Sequence, residues 1–125
     1  MSELKQPQFQ GGRNIAMKVP AHVFEQTVAF YRDVLRLPLL GEGPGGTVFE
    51  FGPSLLWLDR ADHLSQAEIW LEITTDSVAA ADDFLGQRGT VRRDEIEVLP
   101  VGFEGFWVCN PADVIHLVAE RGEDE

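Results

Sequence analysis

The sequence predicts an α+β domain made of two βαβββ modules, and three observations carry that expectation. Two stretches read as copies of one another: Asn14-Ile15-Ala16-Met17-Lys18-Val19 and Glu68-Ile69-Trp70-Leu71-Glu72-Ile73 start 54 positions apart, and Phe30 and Phe84 in the following helix-like segments keep the same offset. Both stretches alternate polar or small residues with aliphatic ones, the period of a half-buried strand. Each helix-like segment is then followed by three short apolar runs set apart by turn residues. A strand–helix unit repeated within one short domain implies a pseudo-twofold axis, which brings equivalent strands together and can build one site from both halves.

Residues 1–13, with Gln6-Pro7-Gln8 and Gly11-Gly12, read as a mobile leader. The first strand is Asn14 to Val19, stopped by Pro20. Ala21 to Arg36 is a helix, because Phe24, Val28, Tyr31 and Leu35 fall on one stripe of a 3.6-residue period, and Pro38 ends it. Three strands are expected at Leu39–Glu42, Thr47–Phe51 and Leu55–Asp59, parted by Gly43-Pro44-Gly45-Gly46 and Gly52-Pro53-Ser54. Arg60 to Gln66 is a linker too short to separate independent domains. The second module opens with the strand Ala67–Ile73, then a helix capped by Thr75 or Asp76 and ending at Gly89, with Val78, Ala81 and Leu85 inward. Strands at Glu95–Leu99, Phe103–Cys109 and Asp113–Ala119 complete it. The domain therefore spans 14–119, as modules 14–60 and 67–119, with 120–125 an acidic tail.

At 125 residues, 44% hydrophobic and 25% charged, the chain matches one soluble globular domain with a core that needs no disulfide. Cys109 is the only cysteine, which rules out an internal disulfide and points to a reducing compartment. Met1 to Arg13 carries no apolar signal region and no apolar run is long enough to cross a bilayer, so a cytoplasmic protein without a membrane partner is expected. The net charge of −11 argues against nucleic acid and, as a field effect, favours cationic over anionic ligands.

The order βαβββ twice, with Phe30-Tyr31-Arg32-Asp33-Val34-Leu35-Arg36-Leu37 in the first helix, resembles the vicinal oxygen chelate superfamily of glyoxalases, bleomycin-resistance proteins and extradiol dioxygenases. The helix matches an FY-x-x-V-L-G-L pattern except that Arg36 replaces the glycine. Asn110-Pro111-Ala112-Asp113-Val114-Ile115-His116-Leu117 is a loose version of a D-P-x-G-x-x-x-E pattern in the last hairpin. The resemblance covers residues 14–119. It implies that the two modules form a cup-shaped mixed sheet with the helices on its outer face.

Metal-dependent members hold one divalent cation between facing strands. Carried across, the ligand positions fall on Asn14, Glu68, Trp57 and His116, where the family has His or Gln, His, and Glu in the place of His116. Asn14 offers only a neutral amide oxygen and Trp57 cannot bind a metal, so two good ligands remain of the three such a site needs. The expectation is a degenerate site without a resident cofactor, with a bound divalent metal as the alternative. Strand alternation places Ala16 and Lys18 beside Asn14 on the cavity face, Trp70 and Glu72 beside Glu68, Asp59 beside Trp57, and Val114 and Val118 beside His116. Asn14, Lys18, Trp57, Asp59, Trp70 and Glu72 are then candidate ligand-binding residues. Glu68 and His116 form a candidate acid–base pair or a buried ion pair filling a dead metal site. Without the resemblance, the same face reads as solvated or packed on a dimer partner. No Ser-His-Asp spacing, phosphate-binding glycine loop or Cys-x-x-Cys is present.

Three functions stay open. One is a metal-free protein that binds a small aromatic or cationic molecule, stacked on Trp57 and Trp70 in the field of Glu68, Glu72 and Asp59. Another is a metal-dependent lyase, isomerase or dioxygenase acting on a small oxygenated substrate, and a third is an accessory dimer without ligand. A homodimer is expected, because sheet edges are normally paired or covered, with Phe103 to Val108 as the contact.

Overall fold

The computed structural model describes residues 6–43 and 46–122. Residues 1–5 of the expected leader, Pro44 and Gly45 of the first hairpin turn, and residues 123–125 of the acidic tail lie outside them. The elements run β1 (Phe9–Pro20), α1 (Phe24–Ala29), β2 (Leu39–Gly43), β3 (Gly46–Phe51), β4 (Ser54–Ala61), β5 (Glu68–Thr75), α2 (Val78–Gln87), β6 (Val91–Arg92), β7 (Gly105–Cys109) and β8 (Ile115–Glu120). This is βαβββ twice, an α+β fold. The strand order is β2-β3-β4-β1 in the first module and β6-β7-β8-β5 in the second. In each, the opening strand lies parallel to the closing one, which is antiparallel to the strand before it. The repeat is thus one of topology as well as of sequence.

The chain divides into two compact units, Arg13–Trp70 and Leu71–Glu125 together with the residues up to Gly12. The core of the first collects Val19, Phe24, Val28, Phe49, Leu56 and Leu58, with Ile15, Met17, Tyr31 and Leu37 packed against it. Ile15, Met17 and Val19 therefore turn toward α1, as their alternation predicts. The expected helix over 21–36 is broken into three geometries: a 3-10 turn at Ala21–Val23, α1, and a π-helical turn at Phe30–Val34. The π turn is closed by Leu35 N donating to Phe30 O at 3.0 Å. Arg36 then takes a left-handed φ of 57° and ends the segment before Pro38.

In the second unit, Ala81, Phe106, Val108 and Val118 form the core, with Phe9, Val78 and Leu85 packed on it. Four expectations change here. β1 begins at Phe9, inside the stretch read as leader. Phe9 has an aromatic partner in Phe84 at 6.2 Å, and Gly12 lets the chain approach Glu72 where a Cβ would overlap its carboxylate. The cap of α2 is Ser77, whose Oγ accepts from Ala80 N at 3.1 Å. Thr75 is still buried in β5, and Asp76 instead accepts from Gln8 N at 2.9 Å. Glu95–Leu99 is not a strand: the first strand after α2 is only Val91–Arg92, followed by a 3-10 turn at Asp94–Ile96. There the Asp94 carboxylate accepts from Trp107 N, and Val98 is left 93% exposed. Finally, Phe106, Trp107 and Val108 are buried within their own chain, so they do not offer the dimer contact expected of them. Gly89 does end α2, with φ 77° and Thr90 N donating to Leu85 O.

Candidate functional site

In the parallel pair β1–β4, Ala16 lies opposite Trp57 and Lys18 opposite Asp59. Since Ile15, Met17 and Val19 face α1, these four residues and Asn14 occupy the opposite face of the first unit. Two bonds tie them together. Trp57 Nε1 donates to Asn14 Oδ1 at 2.9 Å, and Lys18 Nζ donates to Asp59 Oδ2 at 2.8 Å. The Lys18 ammonium also lies 4.2 Å from the ring centroid of Trp70, a cation–π contact. Trp70 Nε1 in turn donates to Glu68 Oε1 at 2.9 Å. Six of the eight residues singled out in the sequence, Asn14, Lys18, Trp57, Asp59, Glu68 and Trp70, thus belong to this unit and are linked in two short chains of contacts.

The two tryptophans differ in what they offer. Trp57 is 39% exposed, whereas Trp70 is 7% exposed with Lys18 over its ring. Lys18 is itself buried. A desolvated ammonium requires compensation, which the Asp59 carboxylate and the indole supply. The ion pair has one side chain almost enclosed and the other partly in water.

His116 is placed differently from the expectation. In β5–β8, Leu71 lies opposite His116 and Glu72 opposite Leu117; in β7–β8, Trp107 lies opposite Leu117 and Val108 opposite His116. Val108 and Val118 pack on α2, so His116 shares the helix side of the second unit, while Leu117 shares the other side with Glu72 and Trp107. A one-residue difference in register moves a side chain to the other face of a strand. The signal was available: in the pattern D-P-x-G-x-x-x-E, counted from Asn110, the last position is Leu117. Within its unit His116 Nδ1 lies 3.0 Å from Val114 O, and Glu68 is engaged by Trp70. Ile69 and Leu71, which alternate with Glu68, Trp70 and Glu72 along β5, are exposed.

Trp107, expected in a dimer contact, is instead buried within its own unit, and its Nε1 donates to Glu97 O at 2.9 Å. Among the described residues, no three His, Cys, Asp or Glu side chains are grouped so as to hold one ion. Hydrogen bonds from Arg32 hold the Asp33 carboxyl below its ordinary range, and one from Arg93 does the same to Glu95.

Solved structures share this architecture. The Mn(II)-bound glyoxalase from Novosphingobium aromaticivorans superposes with a TM-score of 0.64 at 21% identity, over 91% of this chain and 40% of that one. The chain has the fold of the vicinal oxygen chelate superfamily. Homoprotocatechuate 2,3-dioxygenase from Arthrobacter globiformis matches with a TM-score of 0.63 and 21% identity, over 94% of this chain and 38% of that one. A hypothetical protein from Bacillus halodurans C-125 is of similar length, with a TM-score of 0.63 and 18% identity over 95% of this chain and 97% of its own. This chain therefore spans about two fifths of the glyoxalase and of the dioxygenase. No protein-family model matches the sequence, and no curated protein matches it. No helix among the described residues is long and apolar enough to cross a membrane.

Proposed function

We propose that this protein binds a small aromatic or cationic molecule on the face of β1 and β4 without a resident metal. The observation that carries this reading is the pair of indole bonds. The fold family's ligand positions on the opening strands are Asn14 and Glu68, and each gives a side-chain oxygen to a tryptophan N–H. Asn14 has a single neutral amide oxygen, already accepting from Trp57, and Glu68 spends one of its two carboxylate oxygens on Trp70, while Trp57 itself has no oxygen or free nitrogen lone pair to give. Such a set does not fit a site that needs three protein ligands. The exposed ring of Trp57 supplies a stacking surface. Trp70, covered by Lys18, anchors the wall rather than stacking on the ligand. We propose further that the working unit is a homodimer.

Binding is tested by tryptophan fluorescence with planar aromatic compounds, neutral and cationic. Stacking on Trp57 should quench emission saturably, and Trp57→Ala should remove the response. Added Mn, Fe, Ni or Zn salts should leave the melting temperature unchanged. One divalent ion held per chain at stoichiometric occupancy would overturn the reading and favour a metal-dependent lyase, isomerase or dioxygenase.

A further inference from the structure

The second unit holds a cleft of about 450 Å³ on its helix side, lined among others by Phe9, Ile73, Leu85, Val108 and His116. Its volume falls in the range of small-molecule sites, and its wall is apolar with a few polar groups, as such sites are built. The polar group that stands out is His116. On the helix side of β8 it stands between Val114 and Val118, and Val118 is fully buried in the core. An apolar residue would complete that stripe. The carbonyl of Val114 can only accept, so Nδ1 carries the ring proton in the neutral imidazole and Nε2 is left as an acceptor.

Arg88 also lines the cleft, and its guanidinium is stacked over Phe84 at 4.4 Å from the ring centroid. That engagement and the net charge of −11 both disfavour an anionic head group. We propose that this cleft is a second ligand site, taking a neutral apolar molecule that donates one hydroxyl to Nε2 of His116. None of the lining residues is a tryptophan, so occupancy here is read separately from stacking on Trp57.

The test is a chemical-shift titration of the full chain by NMR with 2-naphthol, using naphthalene and 2-naphthoate alongside. The site predicts saturable shifts at Val91, Val108 and His116, and about tenfold tighter binding of 2-naphthol than of naphthalene, the worth of one hydrogen bond. His116→Phe should erase that preference while naphthalene still binds. In the unmodified protein, the Nε2 resonance of His116 should move with 2-naphthol and stay put with naphthalene. Shifts absent from these residues, an unmoved Nε2, a preference that survives in His116→Phe, or tightest binding by 2-naphthoate would each overturn the proposal.

Discussion

Arg36 and Asp113 hold left-handed backbone, with φ of 57° and 65°. Both stand where the superfamily patterns they resemble carry glycine, one closing the first helical segment and the other closing the turn before β8. A side chain at such φ crowds the following carbonyl, at a cost of about 1–2 kcal/mol for most residues and less for Asp. Arg36→Gly should therefore raise the unfolding free energy by about 0.5–1 kcal/mol in urea titration, and Asp113→Gly by a smaller amount. A loss of stability in Arg36→Gly would mean that its guanidinium contributes more than the strain removes. At Lys18 the sign reverses. Asp59→Asn takes away the carboxylate 2.8 Å from a buried ammonium and should destabilise by about 1–2 kcal/mol, discounted because Asp59 is partly in water. An unchanged urea midpoint would show that other contacts of Lys18 suffice.

Among the elements, β1 departs most from what its composition suggests. Gln, Gly and Pro dominate residues 6–12, yet the strand starts at Phe9 because that ring meets Phe84 and the core of the second unit. Phe9→Ala should cost about 2 kcal/mol, below the range for a fully buried ring because Phe9 is half-buried. Hydrogen exchange should then speed up along residues 9–12. If those amides exchange as slowly as before, backbone pairing alone holds this part of the strand. The segment at 95–99 errs in the other direction. Its alternation suggests a strand, but Asp94 takes the backbone N–H of Trp107, and Glu97 O takes the Trp107 indole N–H. Side-chain bonds there replace a ladder, a competition that periodicity does not register.

Over the whole molecule, apolar side chains remain in water at Val34 and Leu40, 69% and 53% exposed, and at Phe30, Leu35, Leu39, Ile69 and Leu71. Scattered exposed residues need no explanation, but an uncovered β2 edge beside exposed leucines does. Light scattering at micromolar concentration should give twice the chain mass, and Leu40→Glu should shift the mass toward that of one chain. A single-chain mass in the unmodified protein would remove the dimer. Legible along the chain are the two βαβββ modules, the faces of β1 and β4, and the shared face of Asn14, Lys18, Trp57 and Asp59. Strand period and repeat spacing are local properties, and alternation within one well-patterned strand fixes which side chains share a face. Tertiary structure alone decided that Trp70 is covered by Lys18 and that both indole N–H groups are taken by Asn14 and Glu68. It also places His116 on the helix side and Leu117 on the other, in agreement with the last-hairpin pattern counted from Asn110 and against the alignment of Trp57 with His116. The register of a closing strand depends on how its turn places it against a neighbour distant in sequence, and one residue of register reverses every side chain along it.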